Sequence, residues 1–510
     1  MGAFHGLLGL SGGQLAGVIA IAIFTLCIYR RYLSPISHVP GPFVASFTRL
    51  WHIHRILKGD QNLELIRLHD KHGHLVRIAP NEISLSHPSA IKKILSAPLH
   101  KGPWYKVIAF PDGRFQSPMG ATDPAIKNEL SRHLSAAYTL PNLLRSEDGI
   151  DATLSRLFTW FDRFSTQKKA IELADWFTFA TSDVIGEVIF SKPMGFLEAG
   201  KDIDNTIANS HAQAAYVSIA GFFRWVHVAL LSNRFVTWLG IAPWGHLINT
   251  AMSAIKERMD RPDVERVDAL GHWLRMLEST RSFDGKLGSG KARMEEHEVR
   301  SAAFGAIAAG NETVAAGLQA FVYYMIRCPG AWERARKEVD EVLGGEGGEG
   351  GPGGVVSYAS AQKMVYLQAC IKEALRIFGP ASMGLPRVVG KGGMTFDEYT
   401  IPEGVIVSVN IWVMHHSKEI WGEDAREFNP DRWFRPNAAS LEKYFIPWGA
   451  GYSSCPGPNI AKIELSKICA TLVRDYEFDQ VDPKQEWSWK AYFTAVPGGW
   501  PVYVKKRGHH

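Results

Sequence analysis

The chain opens on an apolar run: no Lys, Arg, Asp or Glu occurs before Arg30. Its densest part, LAGVIAIAIFTLCIY from Leu15 to Tyr29, together with the Gly/Leu-rich lead-in, reaches roughly the 20 residues that a spanning helix needs. Arg30 and Arg31 follow at once. A cleaved leader wants a positive segment ahead of its apolar stretch and a small-residue cleavage site, and neither is clear here. The pattern predicts a membrane anchor over 1–31, with the arginines holding the next domain on the cytoplasmic side. A cleaved signal is the alternative. Pro35, Pro40 and Pro42 then stop the helix and stiffen a proline-rich neck over 32–43.

Past the neck the pattern changes to alternation. Val76 to Ile78 and Ile83 to Leu85 alternate apolar and polar positions around a Pro80-Asn81 turn, which predicts a strand hairpin followed by a helix. From about Pro124 to Leu343 the apolar residues recur at helical spacing, including a long helix from about Val299 to Ile326. Gly344 to Gly354 is low-complexity and reads as a surface loop. A domain linker is the other reading, but no complete fold lies on its C-terminal side. A helix to about Phe378, short strands, a long loop, a glycine-rich turn around Cys455, a helix from Pro458 and a terminal hairpin complete the chain. The class is mainly α with small β-sheets, in one domain over 44–510.

Composition changes this picture little. Hydrophobic residues make up 46% and charged residues 21%, ordinary for a globular protein with a large core. A net charge of +5 without a basic run gives no case for nucleic acid. Five cysteines, an odd number at no repeating spacing and with no C-x-x-C, argue against a disulfide framework or a zinc ribbon and for a reducing compartment.

The chemistry is concentrated in FIPWGAGYSSCPGPNIAKIELSKI, from Phe445 to Ile468. Ile460, Ile463, Leu465, Ile468 and Leu472 mark one helix face beginning just after Pro458, so Cys455 sits immediately before a helix N-terminus, where a thiolate is favoured. Gly449, Gly451 and Gly457 permit positive φ and the close approach of a flat group. That arrangement suits an axial haem ligand. A buried structural thiol is the commoner role of an isolated cysteine.

This segment resembles the haem-binding loop of cytochrome P450 mono-oxygenases, usually F-x-x-G-x-R-x-C-x-G. Trp448 stands for the Phe, Gly451 and Gly457 match, Cys455 is the thiolate, and Ser453 stands where Arg is usual. Three further motifs occur in the family's order. EALR supplies Glu373 and Arg376, which share a helix face. FNPDRW supplies Arg432, which the resemblance places in a buried Glu–Arg–Arg cluster locking the cysteine loop. AAGNET, Ala308 to Thr313, resembles the oxygen-binding A-G-x-[DE]-T. Asn311-Glu312-Thr313 is also a glycosylation sequon, read as unmodified because it falls inside an apolar helix.

The resemblance implies the P450 fold, a triangular helical domain with haem b buried against the cysteine loop, and mono-oxygenation of a lipophilic small molecule by hydroxylation, epoxidation or oxidative ring chemistry. It implies that Ala309 and Gly310 leave room for dioxygen, Thr313 bonds the bound oxygen, and Glu312 relays protons through water. It gives Arg387 to a haem propionate. Two arginines usual in the family are absent, and Lys127 or Arg132 is expected in their place. Pro456 and Pro458 lack N–H groups, which leaves Gly457 and Asn459 as donors to sulfur and an iron that is harder to reduce. Electrons come from NADPH through a membrane-bound NADPH–cytochrome P450 reductase, facing Lys443, Lys462 and Lys467 if these are more than a solvated helix face. Substrate contacts fall in 104–120 and 210–245, at Phe304 and Ile307, and in 381–385 and 493–496. The neck and cysteine segment look like those of filamentous-fungal enzymes of secondary metabolism, single-pass in the endoplasmic reticulum with a cytoplasmic catalytic domain. Two other readings stay open: a haem-thiolate isomerase or dehydratase needing no reductant, and a membrane-tethered scaffold with a degenerate pocket.

Overall fold

The computed structural model describes residues 11–109, 116–230, 235, 245–260, 268–281, 294–344 and 354–508. The apolar N-terminal run is a helix, α1 (Gly12–Ile28), capped by Ser11 and Gln14 and continued by a π-turn over Tyr29–Leu33. None of α1 is buried, and Gly12–Leu33 is long and apolar enough to cross a membrane. The chain then turns into the globule, where Arg77 N–H bonds to Pro40 O at 2.7 Å.

A small sheet forms one side of the globule. Strands β1 (Leu75–Ala79) and β2 (Glu82–Leu85) make the hairpin read from the alternating pattern. Ahead of them in the chain lie α2 (Leu50–Lys58) and α3 (Gln61–His72), both packed against β1, and a short β3 (Ala170–Glu172) follows later. The sheet is completed by β4 (Leu385–Val388) and β7 (Ile406–Val409), which flank the hairpin β5 (Met394–Phe396) and β6 (Tyr399–Ile401). The order is β1-β2-β7-β4, with β2 and β7 parallel and the outer pairs antiparallel. Four C-terminal strands follow: β8 (Tyr476–Gln480) pairs with β11 (Pro501–Lys506), which also pairs with β3, and β9 (Trp489–Ala491) and β10 (Ala495–Pro497) form a hairpin.

The larger core is helical. Its members are α4 (Pro124–Ser135), α5 (Glu147–Gln167), α6 (Leu173–Phe190), α7 (Thr206–Ala220), the 32-residue α8 (Glu296–Arg327), α9 (Ala331–Gly344), α10 (Val365–Ile377) and, after the short α11 (Ile411–His415), α12 (Pro458–Asp475). α8 runs through the middle and packs on α6, α10 and α12. Its closest crossing is with α6. A Cβ on Gly310 would lie 2.5 Å from Ile185 Cδ1, and the Thr181 hydroxyl reaches Asn311 O at 2.7 Å. Asn311 is itself buried, as the unmodified reading of its sequon requires. Most of Gly344–Gly354 lies outside the described residues.

Four buried histidines stiffen the sheet side. His69 bridges Gly73 O and Ser84 Oγ, each at 2.9 Å, and His416 bonds Trp412 O at 2.8 Å. Burial pushes His52, His69 and His416 down to about 4, and burial and Arg376 hold His415 well below its ordinary value. In the unfolded chain each titrates near 6.5, so below about pH 6.5 the unfolded state takes up protons that the folded state refuses. Their stabilisation is complete above that pH and is lost as pH falls toward 4. Glu464, buried without a hydrogen-bond partner and raised well above its usual range by burial, opposes one of the four. Each unopposed group contributes up to about 1.4 kcal/mol per pH unit. Scanning calorimetry at pH 7, 6 and 5 is expected to show the melting temperature falling by several degrees; a flat or rising trend contradicts this account of the histidines.

Candidate functional site

The turn around Cys455 is held by its own backbone and by the sheet side. Gly449 and Gly451 take φ of 72° and 65°, the region that glycine tolerates. Gly449 N–H bonds Ile446 O at 2.9 Å and Cys455 N–H bonds Trp448 O at 2.8 Å, closing the loop. Gly451 has a second reason to be glycine: a Cβ there would lie 2.3 Å from Ser96 Cα. Gly457 is the N-cap of α12, and its N–H donates to Cys455 Sγ at 3.4 Å. The Asn459 side chain donates to Tyr138 O at 2.9 Å and ties the start of α12 to the helical core. Burial pushes the Cys455 thiol up, and the Gly457 bond opposes it. Yet Cys455 is solvent-reachable. A group surrounded by protein and still reached by solvent stands on the wall of an internal cleft.

The middle of α8 shows the same mixture. Ala308 and Ala309 are exposed on a helix that is buried over most of the remaining length. Thr313 donates its hydroxyl to Ala309 O at 2.8 Å. Gly310 corrects the expectation: the space beside it is filled by Ile185, so glycine there serves the helix crossing and leaves Ala309 as the small residue at the cleft. Glu312 Oε1 is buried without a hydrogen bond and lies 3.8 Å from His211 Nε2 on α7. Burial pushes Asp175 above its ordinary range, against the pull of the same His211.

Cations gather beside the loop. Lys127 Nζ donates to Tyr452 O, so this expected residue does reach the cysteine turn. Arg132 does not accompany it. Five helical residues turn about 140° past a full rotation, and Arg132 is exposed where Lys127 is buried. Arg387 is buried on β4, bonded to Pro386 O at 2.9 Å with its Nε unpartnered. A third cation, Lys101, escaped the sequence reading. It forms a backbone bridge to Arg387 and donates to Pro118 O and Met119 O at 2.8 and 3.0 Å. Burial, Arg387 and Lys127 push Lys101 down to about 7, and burial and Arg387 lower Lys127. Among the described residues no ion pair joins the three to a carboxylate. Such a set calls for anions, and two haem propionates supply them. Together with a solvent-reached thiol at a helix start, the residues fit haem.

Behind the loop lies the anchoring cluster. Arg376 grips Glu373 with Nε and Nη2 at 3.0 and 2.7 Å, and Arg432 Nε reaches Glu373 Oε1 at 3.3 Å. All three are fully buried. Asp424 balances the second arginine, accepting from Arg432 Nη1 at 2.9 Å. Burial would raise its carboxyl, but Arg435, Arg432 and Asn429 outweigh that and hold it well below the usual range. His415 transmits the cluster to the loop: Nδ1–H donates to Arg376 O, and Nε2 accepts from Ile446 N–H, both at 3.0 Å. Lys467 also departs from expectation. It is fully buried and ion-paired to Glu147 and to Asp151, the latter at 2.8 Å, so it presents no surface to a partner. Lys443 and Lys462 are exposed. Within the expected substrate zones, Trp104 stacks on Phe493 at 5.2 Å and bonds Ser218 O at 3.0 Å. Parts of the stretches 104–120 and 210–245 lie outside the described residues.

Comparison with known proteins is consistent along the chain. The sequence pattern of the family "Cytochrome P450" matches residues 40–497. Cytochrome P450 monooxygenase gsfF of Penicillium aethiopicum is 32% identical over 97% of this chain and 98% of its own length. Pisatin demethylase of Fusarium vanettenii is 29% identical over 92% and 89%. Cytochrome P450 monooxygenase hepC of Aspergillus oryzae is 27% identical over 95% of each.

Removing one partner of a buried ion pair leaves an uncompensated charge and costs about 3–5 kcal/mol. Glu373→Gln is therefore expected to destabilise the fold by about that much and to lower the haem retained per chain on purification. Denaturant unfolding and pyridine haemochromogen content measure the two; wild-type values for both contradict the anchoring role.

Proposed function

This chain belongs to the cytochrome P450 family and is a haem-thiolate mono-oxygenase; from that premise we propose that Cys455 would supply the thiolate ligand of haem b, that Lys101, Lys127 and Arg387 would hold its propionates, and that Ala309, Glu312 and Thr313 would line the oxygen side of the cleft. The observation that carries this assignment is the pairing of an exposed Cys455 at the start of α12 with three carboxylate-free cations: Lys127, which reaches the cysteine loop, and the adjoining Lys101 and Arg387. Bound haem supplies reductive activation of dioxygen, helped by the electron density that a thiolate pushes toward iron.

The protein's own part is to move protons and exclude water. At rest the Thr313 hydroxyl donates to Ala309 O; turned toward the cleft, it would hold a proton there for the oxygen chemistry that bound haem would supply. Glu312 Oε1 is free to bond a water that refills Thr313. His211, about one-third exposed and 3.8 Å from that oxygen, connects Glu312 to solvent. A carboxylate and a hydroxyl in this arrangement serve oxygenation and are not needed for rearrangement without reductant. Electrons arrive from NADPH through a membrane-bound NADPH–cytochrome P450 reductase, for which the exposed Lys443 and Lys462 offer positive charge beside the loop. The apolar cluster of Trp104, Val107, Met383 and Phe493 favours a lipophilic, uncharged substrate. The fungal relatives support a step of secondary metabolism, and the N-terminal helix supports single-pass anchoring in the endoplasmic reticulum with the domain on the cytoplasmic side.

The test is reconstitution with reductase, NADPH and ¹⁸O₂ against lipophilic aromatic compounds chosen by the shift they induce in the haem spectrum. Product carrying ¹⁸O is expected only with reductant. Thr313→Val is expected to keep NADPH consumption while diverting it to hydrogen peroxide, with product formation falling on the order of 10²-fold. Turnover without reductant overturns the oxygenase reading, and unchanged coupling in the variant overturns the role of Thr313.

A further inference from the structure

Three arginines meet where the anchor helix joins the globule. Arg30 and Arg31 lie in the π-turn that ends the span, and Arg30 Nη1 donates to Phe47 O at 3.0 Å. Arg77 comes from β1 beneath them and is 1% exposed. Its Nη2 donates to Arg30 O at 2.8 Å and to Pro80 O at 2.7 Å, while its buried Nε and Nη1 have no partner. Arg31 Nε is likewise unpartnered, and its guanidinium rests over the rings of Tyr32 and Phe43 at 5.3 and 5.8 Å. Burial, Arg31 and Arg30 push Arg77 down to about 10. Among the described residues no ion pair joins any of the three to a carboxylate.

Desolvated guanidinium groups crowded together need an anion. Depth indicates where it comes from. Gly12 to Tyr29 in helical form spans about 27 Å, nearly the ~30 Å of a bilayer's hydrocarbon core, so Arg30 and Arg31 emerge at the level of the lipid phosphates. Leu33, Phe43, Leu50 and Leu57 are exposed nearby along the chain, apolar surface suited to the membrane interface and not to a dissolved ion.

We propose that Arg30, Arg31 and Arg77 form a binding site for the headgroup of one anionic phospholipid, which locks the anchor helix onto the sheet side of the domain. Three positive charges favour a headgroup of net negative charge, such as phosphatidylserine, over zwitterionic phosphatidylcholine. This site stands apart from the chemistry at Cys455, so its failure and that of the oxygenase reading are distinguishable.

The test is native mass spectrometry of the full chain in neutral detergent, titrated separately with dioleoylphosphatidylserine, dioleoylphosphatidylcholine and inorganic phosphate. One phosphatidylserine per chain is expected to be retained at concentrations where phosphatidylcholine is lost, without displacement by equimolar phosphate. Arg31→Gln is expected to weaken retention about tenfold and Arg77→Gln to abolish it; should Arg77→Gln fail to fold, Arg31→Gln decides. Lys391→Gln, an exposed change in the turn after β4, is expected to have no effect. Equal retention of the two lipids, displacement by free phosphate, unchanged binding in Arg31→Gln, or an equal loss in Lys391→Gln overturns the site.

Discussion

The buried cluster of Glu373, Arg376, Arg432 and Asp424 is the constraint on which the rest depends. Two guanidinium groups and a carboxylate out of water are tolerable only if every charge is matched and every polar atom bonded. Here the count closes: Glu373 takes two bonds from Arg376 and further ones from Arg432, Trp433 and the Asn429 N–H, while Asp424 neutralises the second arginine. Five further guanidinium hydrogens go to the carbonyls of His415, Trp421, Asp424, Ala425 and Glu427. The long stretch between β7 and the cysteine turn has little regular structure, and this cluster is what gives it a fixed course.

His415 carries that rigidity to the site. Because it is buried and kept neutral, one ring nitrogen donates and the other accepts, so it joins Arg376 O to the Ile446 N–H at the head of the loop. Nine residues later the loop delivers Cys455 to the start of α12. On the far side the same loop is fixed by Lys127 at Tyr452 O and by the close approach of Gly451 to Ser96. The thiol is thus held from both sides, which an axial ligand requires and an inert core cysteine does not.

Much of this was legible in the sequence because the signals are local. The anchor, the β1–β2 hairpin, the long α8 and the helix after Pro458 follow from runs and periodicities that a single segment contains. The EALR, FNPDRW, AAGNET and cysteine segments each carry their residues at fixed spacing. What escaped depends on contacts distant in the chain. Lys101 meets Arg387 only through a bridge between a loop and β4, and nothing in HKGPWY marks it. Asp424 lies in a turn and His415 ends the five-residue α11, too short for a periodic signal to place it. Lys467 was misread because α12 is buried nearly all round, and only α5, with Glu147 and Asp151, shows that the lysine points inward. Gly310 was given to oxygen because nothing in its own segment shows that Ile185, distant in the chain, packs beside it. Arg132 is the exception: its helical phase relative to Lys127 was readable and places it on another face.

We propose that this scaffold presents Cys455 to haem iron as a thiolate although Ser453 replaces the usual arginine. The absorption spectrum of the purified full chain, reduced and saturated with carbon monoxide, tests this. The strongly red-shifted Soret band of thiolate-bound ferrous haem is expected. A haem spectrum without that shift, which marks a protonated or displaced thiol, would contradict it.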